Sequence, residues 1–418
     1  MIPGIRHLCR FLLTGGLSVL TLKYACAQQL GATPERSGYF SSAAVAQSPR
    51  LKWKIKTGGL VLASPVGYRD RLFTGSCDSV MYALAKDNGR TLWKFKTGGE
   101  IRSSAAVAEN IVYFSATDGI FYALDATSGR LLWTFETAGE RFYDTWDYHQ
   151  SSPTVYGDKV YFGSGDGYLY ALDRQTGKLQ WKFETGGIVH ASPVVADGAV
   201  FAGSFDGYFY CLETDGRLRW KFKTVGERYF PRGEIQFHAT VANNTVYFCS
   251  RDFNVYALNA KDGAGYWVYH QQGSWTSVPA LADGKLLVTM SDAHLVSGLD
   301  AESGKSLFEA PVPLNVFSGA SVLGNFAYVG SMDGRVYRVD ITSGKSTVIF
   351  QTEGSRKYRP HFFDETGKLR TGLEEEYKDD FTRIYTDFLK MGSILSTVWI
   401  ADGTLFFGSA DGCIYALR

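Results

Sequence analysis

A surplus of charge of either sign is missing from this chain. Its 43 lysines and arginines face 42 aspartates and glutamates, for a formal net charge of +1. That balance leaves no electrostatic footprint for nucleic acid or for an acidic membrane surface. Cysteine is scarce, six in 418 residues, and no Cys-x-x-Cys, Cys-x-x-Cys-His or adjacent Cys-Cys pair occurs. Haem attachment, a metal centre and a disulfide framework are unsupported, and Cys77, Cys211, Cys249 and Cys413 read as small buried thiols. There is no Asp-x-Asp-x-Asp-Gly calcium loop, and no helix follows Gly163-Ser164-Gly165 as a nucleotide loop would need. No Ser/His/Asp order or paired-carboxylate spacing stands out, so no catalytic residue and no metal ligand is assigned.

The one leader-like stretch is at the start. Arg6 and Arg10 precede the apolar run Phe11–Leu22, and Ala25-Cys26-Ala27 has the small-x-small form of a cleavage site. Residues 1–27 read as a secretory signal peptide, too short to span a membrane with mature sequence attached. Cleavage after Ala27 is the first choice. Lipidation of Cys26 is the alternative, against which Lys23 stands where a lipobox carries an apolar residue. Removing Arg6, Arg10 and Lys23 takes the charge from +1 to −2. The mature chain is expected to be periplasmic or secreted, with no transmembrane segment.

What is abundant is a repeat. Val160–Gly187 holds three strand signals and two tight turns. Val160–Ser164 is β-branched and aromatic, and Gly165-Asp166-Gly167 is a hairpin turn. Tyr168–Asp173 alternates as a half-buried strand does, and Leu179–Glu184 centres on Trp181. The outer-strand aromatic recurs as Trp53, Trp93, Trp133, Trp181, Trp220, Trp267, Phe308 and Phe350, about 40 residues apart. Eight units of four short strands predict an all-β fold, an eight-bladed β-propeller of antiparallel blades over residues 50–418. The first unit opens with an orphan outer strand, Leu51–Thr57, and the chain stops after a third strand. The amino-terminal strand is therefore predicted to complete the carboxy-terminal blade and remove an open sheet edge. Residues 28–49 are expected to be a flexible polar lead-in.

Three insertions break the beat: 139–149, 226–237 and 353–392. All three connect an outer strand to the next inner strand, so all should project from one face, where function is expected. In the third, Leu373, Tyr377, Phe381, Ile384, Phe388 and Met391 follow helical spacing. Thr371 with Glu374 suggests a capping box, and Gly392 a stop. One helix over 372–391 is expected, either lying on the propeller by its own apolar stripe or serving as a lid or docking element.

Three places back from the Ser-Pro position of blades two to five stand Arg102, Gln150, His190 and His238. With His149 and the loop residues Tyr143, Trp146, Arg228 and Tyr229 they form the candidate ligand- or partner-binding set. The alternative is that strand starts are wet and tolerate polar residues. No carboxylate spacing supports His190 and His238 as metal ligands. The repeated Asp of Gly-Ser-x-Asp-Gly is expected turn chemistry, and the tryptophans are expected to pack between blades.

The beat Trp-Lys-Phe-x-Thr-Gly-Gly, Ser-Pro, Val-Tyr-Phe-Gly-Ser-x-Asp-Gly-x-x-Tyr-Ala-Leu-Asp-x-x-Thr-Gly is carried by Leu92–Gly99, Ser192-Pro193, Val160–Asp173 and Thr176-Gly177. It resembles the PQQ-like, quinoprotein-type propeller repeat over roughly residues 50–418. One branch of that superfamily holds pyrroloquinoline quinone and calcium over the axis, typically beside adjacent cysteines. That pair is absent here, so no dehydrogenase residue carries over and no cofactor is predicted. The other branch resembles the non-catalytic periplasmic propeller subunit of the outer-membrane β-barrel assembly machinery, a lipoprotein without so long a helical insertion. The resemblance implies an exported, monomeric binding or scaffold propeller. On its insertion face it would take an envelope protein partner, or a small molecule or glycan. The alternative is a PQQ-dependent oxidoreductase acting on an alcohol or sugar, with calcium.

Overall fold

The computed structural model describes residues 27–418 apart from Asp379, with backbone alone at Glu374 and Phe381. The expected leader, Cys26 included, lies outside these residues except for Ala27. Eight four-stranded antiparallel sheets make up the described chain. Blade 1 is Val66–Tyr68, Arg71–Ser76, Val80–Ala85 and Thr91–Lys96. Blades 2 to 7 repeat that order, from inner strand A to outer strand D. Blade 8 takes Trp399–Ala401, Thr404–Gly408 and Cys413–Leu417 from the end of the chain and Leu51–Lys56 from its beginning. Leu51 pairs with Leu417, Lys54 with Tyr415 and Lys56 with Cys413, which is the predicted closure.

Adjacent blades are joined through the recurring tryptophan. The Trp53 indole N–H donates to the Lys86 carbonyl of the next blade at 3.2 Å, and that of Trp93 to Ala126 at 3.1 Å. Each ring lies on the glycine of the neighbouring C–D turn. Gly89 has φ +73°, and a Cβ there would come within 2.7 Å of the Trp53 ring. Only glycine meets both demands. The repeated Asp is turn chemistry: Asp166 Oδ1 accepts from the Tyr168 N–H at 3.0 Å, and Oδ2 from the Tyr170 hydroxyl at 2.6 Å.

Residues 28–42 correct the expectation of a flexible lead-in. An inner strand has one edge facing the axis, and its N–H groups need partners. This segment supplies them, blade after blade. Gln28 exchanges two backbone bonds with Val107, at 2.8 and 2.7 Å. The Gln29 side chain accepts from Val155 N–H at 2.9 Å. The carbonyls of Pro34, Glu35, Ser37 and Gly38 accept from Val195, Val241, Leu281 and Val322 at 3.1, 3.0, 2.8 and 2.8 Å. Phe40 then packs edge-on against Trp399, 5.1 Å between centroids. The circuit thus runs from blade 2 to blade 8.

The third insertion holds three helices where one was expected: α1 (Glu353–Phe362), α2 (Leu373–Tyr377) and α3 (Phe381–Leu389). Lys378 adopts φ +52° and breaks the run, after which Asp380 caps α3 by accepting from Arg383 N–H at 3.0 Å. The Glu374 half of the expected capping box lies outside the described side chains. Thr352 caps α1 instead, accepting from Ser355 N–H at 3.1 Å. Leu373, Tyr377, Tyr385, Phe388 and Met391 are buried, so the apolar stripe faces the propeller.

Candidate functional site

The three insertions meet over the axis. Trp146 of the first, Phe237 of the second and Tyr385, Phe388 and Met391 of the third pack with Trp275 and Phe317 in one apolar cluster. The Trp146 and Tyr385 ring centroids are 4.6 Å apart. Polar contacts hold the loops in register. The Tyr143 hydroxyl donates to Glu234 Oε1 at 2.9 Å, and Gln236 Nε2 donates to the Trp146 carbonyl at 2.8 Å. Arg251 is buried, donates to Asp144 at 2.6 and 3.2 Å, and stacks 4.7 Å over the Trp275 ring.

Below this lid His190 is clamped between two carboxylates of the first insertion. Its Nδ1 lies 2.7 Å from Asp147 Oδ1 and its Nε2 2.8 Å from Glu140 Oε1. Burial alone would push the imidazole pKa down, but the two acceptors and their charge carry it up to about 9. His190 is thus an imidazolium that donates from both nitrogens. Its neighbours do the opposite. Burial, with the charge of His190 adding to it, takes His149 down to about 4. Burial also takes His238 well below its ordinary range, with Arg36 adding to it.

The nine candidate residues divide into two groups rather than one funnel. His149, Gln150, His190 and His238 line an axial cavity. Tyr143, Arg228 and Tyr229 lie on the outer face, with Tyr229 71% exposed and Arg228 5.5 Å over its ring. Arg102 and Trp146 lie between the groups. Arg102 pairs with Glu100 at 2.7 Å and covers the Phe142 ring at 4.8 Å.

The register corrects one assignment. Gln150 and His190 stand four residues before their inner strands, which begin at Thr154 and Val194. The blade 5 strand begins at Thr240, so its equivalent is Gln236. His238 instead occupies the position held by Ser152 and Ser192. Blade 5 lacks the Ser-Pro marker, which hid the two-residue offset. Glu140, Asp147, Glu234 and Arg251 were not among the candidate residues. Arg141, next to Glu140, donates to the carbonyls of Gly165 and Asp166, each at 3.0 Å.

Pyrroloquinoline quinone does not fit the residues present. Aromatic side chains of the insertions fill the mouth over the axis. The cavity beneath leaves about 30 Å³ for the centres of water-sized spheres. Among the described residues no group of three or more His, Cys, Asp or Glu could hold a metal ion. Among the described residues no helix is long and apolar enough to cross a membrane.

The profile of the family described as outer membrane protein assembly factor BamB matches residues 41–214, 166–276 and 210–358. The crystal structure of BamB from Moraxella catarrhalis superposes with a TM-score of 0.66 at 16% identity, covering 88% of this chain and 99% of that one. Quinohemoprotein alcohol dehydrogenase from Comamonas testosteroni gives 0.70 at 12% identity, over 93% and 80%. At these identities the likeness is one of fold. A polyvinylalcohol dehydrogenase from a Sphingopyxis species is 31% identical over 135 residues, which is 31% of this chain and only 19% of that protein.

Proposed function

This chain belongs to the PQQ-like propeller family described as outer membrane protein assembly factor BamB, and from that premise we propose that it is a non-catalytic scaffold of the bacterial envelope, binding a protein partner in outer membrane protein assembly. The observation that carries the reading is the lid. The insertions fill the axial mouth with their own side chains and turn exposed Phe142, Tyr143 and Tyr229 outward. Exposed aromatics on pinned loops suit protein recognition, where Tyr and Arg dominate binding. A photo-crosslinking residue at Tyr229 should capture one envelope protein, and the same residue at Leu179 on a blade rim should not. Identical capture patterns at the two positions would count against the proposal.

The second reading is a quinoprotein oxidoreductase. It draws on the 135-residue match to the polyvinylalcohol dehydrogenase. Purified protein mixed with pyrroloquinoline quinone, calcium and an alcohol should leave an electron-accepting dye oxidised if the scaffold reading holds. Turnover of the dye would replace it with the second reading.

A further inference from the structure

The axial cavity is rich in hydrogen-bond donors. The lining residues Ser64, Ser104, Ser152, Ser192 and Thr397 set five hydroxyls in an arc across adjacent blades. Their acceptor side is engaged by the neighbouring blade. Ser64 N–H donates to Ser104 Oγ, Ser104 N–H to Ser152 Oγ and Ser152 N–H to Ser192 Oγ, each at 2.9 Å. Thr397 N–H donates to Ser64 Oγ at 2.8 Å, and Gly319 N–H to Thr397 Oγ1 at 3.0 Å. Among the described residues none of the five hydroxyls donates to a protein acceptor. Gln150 adds a further donor. It is 2% exposed, its Oε1 accepts from Arg102 N–H, and its Nε2 has no partner. No Asp or Glu lines the cavity.

A buried cation adjoins it. Arg36 is fully buried on the circuit of residues 28–42, and all its partners are neutral. Nε donates to the Pro193 carbonyl at 3.0 Å and Nη1 to that of Leu30 at 2.9 Å. Nη2 reaches the carbonyls of Ser152 and Pro153 at 3.0 and 3.3 Å and the Thr154 hydroxyl at 2.7 Å. Leu30 and Ser152 also line the cavity, so the guanidinium is bonded to the backbone of two residues of its wall. A buried charge with only dipoles around it calls for a counter-charge. His190 does not share that need, because Asp147 and Glu140 flank it.

We propose that this cavity is a binding site for a single halide-sized anion, held by the hydroxyl arc and the Gln150 amide and neutralising Arg36. The space is small. About 30 Å³ of room for sphere centres admits a monatomic anion, one water needing ~10–15 Å³ of occupied volume, and water alone leaves the charge unmatched.

The test uses the full mature chain, purified from the outset with bromide replacing chloride, crystallised, and measured at the bromine absorption edge. The expected result is one anomalous peak in the cavity within hydrogen-bond reach of Gln150 Nε2 and the serine Oγ atoms. Water-like density without an anomalous signal overturns the proposal, as does polyatomic density. Gln150→Glu provides the second arm. It keeps the oxygen that accepts from Arg102 and places a carboxylate where the anion sits, so the folded variant should lose the peak. A Gln150→Glu crystal that retains bromide at the same position also overturns it.

Discussion

Arg50 and Arg418 exchange both backbone hydrogen bonds, at 2.7 and 2.8 Å, although they lie near opposite ends of the chain. The pair starts the ladder that makes Leu51–Lys56 the outer strand of blade 8. Trp53, within that ladder, is 8% exposed and packs 5.8 Å from Phe406. Trp53→Ala should cost about 3–5 kcal/mol, read as a lower denaturant midpoint at unchanged slope. Truncation after Gly412 should abolish the single cooperative transition. A truncated chain that unfolds like the intact one would show that closure contributes nothing.

The glycines under the tryptophans allow a cleaner comparison. Gly129 has φ +73°, and a Cβ there would lie 2.6 Å from Trp93, whereas Gly198 has φ +74° and nothing within 4 Å. Alanine at either site takes on left-handed strain of about 1–3 kcal/mol. Only Gly129→Ala adds a clash at a blade junction. Its loss of thermal stability should exceed that of Gly198→Ala, and equal losses would refute the junction argument.

The histidines give stability two opposing dependences on pH. His190 is raised to about 9 from 6.5. Its clamp therefore contributes fully below about pH 6.5 and is lost as pH climbs through 9, a change on the order of 3 kcal/mol. His149 is depressed to about 4 from 6.5, so its contribution is present above 6.5 and disappears as pH falls through 4. Melting temperatures measured between pH 4 and 10 should peak near 6.5. His190→Gln should flatten the alkaline limb and spare the acid one; a wild-type protein with no alkaline limb would contradict the clamp.

Arg36 anchors the amino-terminal circuit. Arg36→Met leaves the carbonyls of Ser152 and Pro153 without their donor, at about 1–3 kcal/mol for each stranded group. The amides of Val195 and Val241, which bond to Pro34 and Glu35, should then exchange hydrogen faster than in the wild type. The amides of Leu172 and Leu212, inside blades, should not. Uniform acceleration across all four would mean global destabilisation instead.

The ring was legible because an outer-strand aromatic, Trp at six positions and Phe at two, recurs about every 40 residues, and Leu51–Thr57 had no partner until the end of the chain supplied one. Residues 28–42 were not legible, because they dock through backbone atoms onto strand edges and carry no alternation of their own. Arg36 looks like a solvent residue beside Glu35, and only the assembled blades make it an interior one. His190 and Gln150 were reachable by counting back from Ser-Pro. The Asp147 and Glu140 partners of His190 sit 43 and 50 residues away, a separation that no local pattern encodes.

The circuit that touches blades 2 through 8 has a temporal consequence. Residues 28–42 precede every edge they satisfy, so each contact of the circuit waits until its own blade has been made. Until then the inner edge of that blade presents unpaired backbone groups, the kind of edge that pairs with other chains.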